Sequence, residues 1–193
     1  MNTTGKRLLL INPANTYRKG YLLRRQSRQA PLALGVIASL TPADWKIRIV
    51  DENFREHRFR EADLVGITAV TASACRAYEI AAEYRQHGIP VVMGGIHASS
   101  LPEEALQYTD SVVIGEAEGS WPQVISDFEA GKLQRTYQAP LTDFRNTPLP
   151  RHDLFHPGYL FGSIQTSRGC PMNCDFCSVP WFNGYQYRLR DTE

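Results

Sequence analysis

Leu64-Val65-Gly66-Ile67-Thr68-Ala69-Val70-Thr71-Ala72-Ser73, a helix-spaced segment through Gln86 to Gly88, and then Ile89-Pro90-Val91-Val92-Met93-Gly94-Gly95-Ile96-His97 read as strand, crossover helix and strand. Both apolar runs are short, rich in Val and Ile, and apolar at successive positions rather than at alternate ones. That is the pattern of strands covered on both faces of a parallel sheet. Working outward, the same pattern recurs at 8–12, closed by Pro13, and at 47–50 and 111–114. Helical spacing fills 31–40, 73–86, 102–107 and 120–130 between them. Ser73 is the candidate N-cap of the second helix, Pro102 suits a first helical turn, and Gly88 and Gly131 suit stops. The alternation predicts an α/β domain, a doubly wound five-stranded parallel sheet over residues 1–139.

In such folds ligands bind at the carboxyl ends of the strands. Those ends carry small and polar residues: Asn12-Pro13-Ala14, Asp51-Glu52-Asn53, Thr68-Ala69-Val70-Thr71, Gly94-Gly95-Ile96-His97 and Gly115-Glu116-Ala117-Glu118-Gly119. A phosphoreceiver domain shares the architecture, but it needs acidic residues after the first strand and an aspartate after the third, where this chain has Asn12-Pro13 and Thr68-Ala69. Four prolines between 140 and 157 predict an extended connector. After it, 162–166 reads as the first strand of a second, incomplete domain over 158–193, and Asp191-Thr192-Glu193 suits the start of a further helix.

Apolar residues make up 42% of the 193 and charged residues 21%, enough for a packed core and too balanced for disorder. A net charge of +1 excludes a general field for nucleic acid, and the basic cluster Arg18, Lys19, Arg24, Arg25 and Arg28 reads as a solvated loop face. No apolar run reaches the roughly 20 residues of a membrane span, and the opening residues do not make a signal peptide, so a cytoplasmic protein is expected.

Cys170-Pro171-Met172-Asn173-Cys174-Asp175-Phe176-Cys177 brings three of the four cysteines onto one loop. Local clustering favours metal or redox chemistry over a disulfide framework. Three close thiolates suit three irons of a 4Fe-4S cubane and leave the fourth iron open. A zinc site completed by His152 or His156 is the alternative, although no second ligand pair is present. Cys75, inside the second helix, reads as a small packing residue, and His57 and His87 as surface residues.

The loop, with Thr166-Ser167-Arg168-Gly169 before it and Ser178-Val179-Pro180, Gly184 and Tyr187-Arg188-Leu189-Arg190 after it, resembles the radical S-adenosylmethionine (radical SAM) superfamily. Its closest likeness is to the subgroup with an amino-terminal cobalamin-binding domain of flavodoxin-like fold. The resemblance implies a 4Fe-4S cluster on Cys170, Cys174 and Cys177, and S-adenosylmethionine bound near Phe176. It implies cobalamin at the strand ends, touched by Thr68, Thr71, Ser73, Gly94, Gly95, His97, Gly115, Glu116 and Gly119. The glycines there admit close backbone approach, although tight turns after strands need glycine as well. Many cobalamin enzymes offer cobalt a histidine from an Asp-x-His-x-x-Gly motif after the first strand. The stretch 12–31 contains no histidine, so none is expected to reach cobalt from that loop.

As an intact enzyme such a protein would methylate an unactivated carbon of a small-molecule or natural-product substrate, with electrons from a flavodoxin or ferredoxin. Radical cyclisation or rearrangement, and a non-catalytic cobalamin-binding or sensing module, are the other readings. The cluster domain is expected to be incomplete in this chain, and the chain alone inactive.

Overall fold

The computed structural model describes residues 5–14 and 29–191, so the basic cluster from Arg18 to Arg28 and the last two residues lie outside it. Six strands build one parallel sheet: β1 (Arg7–Asn12), β2 (Lys46–Asp51), β3 (Leu64–Thr68), β4 (Val91–Gly94), β5 (Ser111–Ile114) and β6 (Thr136–Gln138), in the order β2-β1-β3-β4-β5-β6. The order reverses between β1 and β3, which places the crevice of a doubly wound sheet at their carboxyl ends. The sixth strand adds to the five expected. It is three residues long with only Tyr137 buried, and it forms because the free edge of β5 pairs Val113 with Tyr137 and Ile114 with Gln138.

The continuous apolar runs are explained by two cores, one on each face. Leu9, Ile11, Val65, Ile67, Val91, Met93 and Val112 point to one side. There they pack on α2 (Ala74–Gln86), α3 (Ile96–Ser100) and α4 (Pro102–Tyr108), with Tyr84 and Ile80 at the centre. Leu8, Leu10, Leu64, Val92 and Val113 point to the other, against α1 (Leu32–Leu40) and α5 (Trp121–Glu129). Each buried aliphatic side chain contributes about 1.5–3 kcal/mol, so residues of both parities hold the sheet.

The helix boundaries follow the expected punctuation with one exception. Pro102 begins α4, and Gly88 and Gly131 follow α2 and α5 at positive φ. Ser73 stands at the N-cap position of α2 as expected, but its side chain makes no capping hydrogen bond: a 3-10 turn over Thr71–Ser73 precedes the helix, and the Ser73 hydroxyl donates back to the Val70 carbonyl at 3.2 Å.

The proline-rich segment from 140 to 157 lacks α-helix and strand, as expected, yet it is tightly packed. Phe144 is fully buried. Leu149 and Arg151 dock on α1 through Ser39 Oγ to the Leu149 carbonyl at 2.5 Å and Arg151 N to the Gly35 carbonyl at 3.0 Å. Gly35 permits this approach, because a Cβ there would lie 2.6 Å from the Phe155 ring and 2.8 Å from Pro150. In the final segment the strand expected at 162–166 is absent. Ile164 is 81% exposed, and the only pairing found among the described residues joins β7 (Ser167–Arg168) to β8 (Arg188–Leu189), antiparallel, around a short helix α6 (Val179–Asn183).

His57, expected at the surface, is buried. Its ring lies 5.5 Å from Tyr84, and neither ring nitrogen has a hydrogen-bond partner, Nε2 standing 3.5 Å from a Glu83 carboxylate oxygen. Burial holds its pKa below the ordinary 6.5, with Arg76 and Arg60 pushing the same way and Glu83 and Glu52 opposing. The folded state thus binds fewer protons than the unfolded one, and His57 contributes stability that is present above pH 6.5 and lost as pH falls below it. Denaturation midpoints measured from about pH 8 to about pH 5 should begin to decline near 6.5 in the wild type and stay flat over that step in His57→Phe.

Candidate functional site

The carboxyl edge of the sheet is divided in two. Over β1 and β2 it is closed: the Tyr159 hydroxyl donates to Asp51, His156 stacks on Phe54 at 4.1 Å, and Glu52 accepts from Arg76, His57 N and Ala14 N. Burial pushes the Asp51 carboxyl up. It would do the same to Glu52, but the hydrogen bonds from Arg76, His57 N and Ala14 N, with the charge of Arg76, together hold Glu52 below its usual range. Over β3, β4 and β5 the edge opens into a cavity of about 790 Å³.

The cavity reaches down the face of the sheet that α1 and α5 cover, past Leu10, Gly66 and Trp121, and its mouth is rimmed by Thr68, Gly94, Gly95, Gly115, Glu116 and Glu118. Its far wall is the segment 162–165 with Arg168, Phe182 and Asn183, the stretches on either side of the cysteine loop. The size lies in the range of cofactor sites. Gly95 shapes the rim: at φ 94° a Cβ would lie 2.8 Å from the Ala69 carbonyl oxygen and 2.9 Å from Thr68 Oγ1. Gly95→Ala should cost about 2 kcal/mol or more, from the left-handed backbone and the collision together, read as a lowered urea midpoint with unchanged m-value.

Of the residues expected at the strand ends, the cavity gathers Thr68, Gly94, Gly95, Gly115 and Glu116. It does not gather Thr71, Ser73, His97 or Gly119. His97 is turned to the opposite face, where Nε2 meets the Tyr78 hydroxyl at 2.9 Å and Nδ1 lies 3.4 Å from Thr71 Oγ1. A Cβ on Gly119 would lie 2.7 Å from that of Ala139 and 3.2 Å from Thr142 Cγ2, so this glycine serves the packing of the segment that follows β6.

Glu116 is the electrostatic centre of the rim. Its carboxylate accepts from Asn183 Nδ2 at 3.0 Å and from both terminal nitrogens of Arg188, and Arg168 Nη1 stands 3.4 Å away. Arg168 also pairs with Glu118 at 2.5 Å. Burial would raise the Glu116 pKa, but Arg188, Asn183 and Arg168 together hold it below the usual carboxylate range.

The cysteine loop leaves β7 through Gly169, whose φ of 85° and contact with the Gln186 carbonyl forbid a side chain. Cys170 N donates to the Gly184 carbonyl at 3.1 Å and Cys177 N to the Cys174 carbonyl at 3.0 Å, so the loop returns on itself. Cys174 is exposed, Cys170 and Cys177 half-buried, and Phe176 is 93% exposed. Among the described residues the three sulfurs are not drawn together as a ligand set, and neither His152 nor His156 joins them. Three thiols on one accessible loop are nevertheless of the donor type that iron-sulfur clusters take, and could supply three ligands once drawn together. Cys75 lies apart, exposed on α2, rather than packed as expected.

Gly66, Leu10, Trp121 and the α1 wall were not singled out by sequence reasoning. Gly66 carried the one usable signal, a glycine in the middle of an otherwise apolar strand, which marks a close approach or a cavity wall. Residues 18–125 match the B12 binding domain family, more than half of the chain. The chain belongs to the B12-binding domain family. The cavity at its strand ends suits that ligand class: a large, mostly apolar slot with glycines at the rim, entered from the crevice.

Similar curated proteins extend beyond the B12-binding domain. A bacteriochlorophyllide d C-8(2)-methyltransferase of Chlorobaculum tepidum is 40% identical over 86% of this chain and 40% of its own length. A hopanoid C-2 methylase of Rhodopseudomonas palustris is 29% identical over 98% and 39%. The bacteriochlorophyllide d C-12(1)-methyltransferase of C. tepidum is 28% identical over 97% and 43%. The chain spans about two-fifths of the length of these relatives. The two that cover 97% and 98% of the chain must include the cysteine loop, and all three are named as methyltransferases or methylases. Among the described residues no helix is long and apolar enough to cross a membrane.

Proposed function

We propose that this chain is the cofactor-bearing amino-terminal portion of a cobalamin-dependent radical SAM methyltransferase. The reading rests on one observation: a single cavity is bounded by the glycine rim of the B12-binding domain on one side and by the segments flanking Cys170–Cys177 on the other. The methyltransferase names of the relatives support it.

In this reading Cys170, Cys174 and Cys177 hold three irons of a 4Fe-4S cluster, and the backbone around Phe176 lies beside the adenine of S-adenosylmethionine. Gly94, Gly95 and Gly115 let the rim approach the corrin, and Thr68 offers a hydroxyl to its nucleotide tail. Leu10, Gly66 and Trp121 line the deeper apolar slot and keep water from it. When bound, the cluster and cobalamin supply electron and methyl-group transfer that no side chain provides. Electrons would come from a flavodoxin or ferredoxin, and the carbon methylated would belong to a small-molecule or natural-product substrate.

Hydroxocobalamin mixed with the chain and passed through gel filtration tests the reading. A corrin spectrum that elutes stoichiometrically with the protein is expected, and elution of all corrin with the small molecules would overturn it.

A further inference from the structure

Two arginines and one asparagine, drawn from both sides of the cysteine loop, converge on one carboxylate. Arg168 stands two positions before Cys170, and Asn183 and Arg188 follow Cys177, yet all three reach Glu116. We propose that Glu116, with Glu118, is a clamp that fixes the cysteine loop in register over the cavity mouth. Resting on the function proposed above, this makes Glu116 a positioning residue for chemistry between the two cofactors.

Four observations carry the inference. The clamp is withdrawn from water: side-chain exposure is 2% for Glu116, 9% for Arg168, 10% for Glu118 and 18% for Arg188. Its charges balance, two carboxylates against two guanidiniums, so loss of any one leaves a buried charge uncompensated. Glu116 is heavily engaged: of the about four acceptor positions of a carboxylate, Asn183 and the two nitrogens of Arg188 take three, and Arg168 adds an ion pair at 3.4 Å. It is therefore committed to the protein rather than to the corrin.

The pedestal beneath it is closely packed. Arg168 and Arg190 lie over the Phe144 ring at 4.6 and 4.8 Å, and Phe144 is fully buried. Arg188 also donates to the Thr142 and Asn183 carbonyls at 2.7 and 2.9 Å, which ties the clamp to the connector and to α6.

Hydrogen exchange on the cofactor-free chain decides whether the clamp exists. In Glu116→Gln, amides of residues 168–190 should exchange about tenfold faster while those of β3 and β4 are unchanged. Arg188→Met should do the same, and the double variant should add less than about twofold to either, as for two members of one interaction. Unchanged exchange, or effects that multiply, would overturn the clamp.

Positioning is read on the chain loaded with hydroxocobalamin and a reconstituted cluster, both then reduced anaerobically with dithionite so that cobalt is Co(II) and the cluster is in its one-electron-reduced state. The distance distribution between paramagnetic cobalt and reduced cluster, measured by pulsed electron paramagnetic resonance, should broaden in Glu116→Gln with both absorption spectra retained. An unbroadened distribution overturns the positioning role, as does loss of the corrin spectrum with unchanged exchange, which would make Glu116 a cofactor contact. Failure of the wild type to take up cobalamin would count against the proposed function, and the exchange experiment would still decide the clamp.

Discussion

Cys174→Ala, reconstituted anaerobically with iron and sulfide, should lose the broad visible absorption of the cluster and reduce cleavage of S-adenosylmethionine by the intact enzyme to background. Cys174 is the middle of the three thiolates, joined to Cys177 by the turn in which Cys177 N donates to the Cys174 carbonyl. Its loss leaves two thiolates for a cubane that needs at least three protein ligands. Neither connector histidine stands ready to replace it, since His152 packs against Phe155 and His156 against Phe54. Because Cys174 is exposed, the substitution should shift unfolding by no more than about 0.5 kcal/mol, which separates loss of the cluster from loss of the fold. Cys75→Ala, on α2 and away from the loop, should keep the full cluster absorption. Cluster yield equal to wild type in Cys174→Ala would refute the ligand assignment.

The second large effect is expected at Gly66. It lies mid-strand on the cavity side of the sheet, and a Cβ there would stand 2.7 Å from Leu10 Cδ2 and 3.8 Å from Trp121. Both neighbours are side chains, so Gly66→Leu can be absorbed by a shift of Leu10, at about 1–3 kcal/mol of overpacking strain. The added isobutyl group would then occupy the slot between Leu10 and Trp121. Cobalamin affinity should fall about a hundredfold, equivalent to about 2.7 kcal/mol, while the chain still unfolds cooperatively. A variant that binds as tightly as wild type would move the ligand out of this slot.

Acid should weaken the protein in two steps with different origins. Below the His57 step near pH 6.5, Glu52 and Glu116 come into play: both are held below the usual 4.5, so each contributes stability that is present above that value and lost as pH falls through it. Asp51, raised by burial, works in the opposite sense and softens this second step.

What could be read from the sequence was set by how local the physics is. The strands of the core announce themselves because burial on both faces demands an apolar residue at every position, as at 8–11 and 91–93. β6 escapes notice because three residues with one buried ring carry no period, and its existence depends on an edge supplied by β5. His57 looks like a polar loop residue until Tyr84 and Glu83 close over it. At the site, the cysteine spacing and the glycine rim are local and legible. The meeting of Glu116 with Asn183 and Arg188 spans 67 and 72 residues, and nothing in the neighbourhood of any of them declares the others. The deep wall of the cavity is hidden for the same reason, since Leu10 and Trp121 read as ordinary core and only the mid-strand Gly66 hints at it.

The missing side chain at Gly35 bears on how this protein can be cut and recombined. Because Pro150 and Phe155 fill the space above that glycine, the connector forms the outer brace of α1, which is itself a wall of the cavity. A B12-binding unit excised at residue 139 would leave α1 with an uncovered notch, and a unit grafted from a relative would need a connector whose own side chains fit it. The smallest portable module therefore runs through Phe155, and domain shuffling in such proteins should conserve the strap together with the helix it supports.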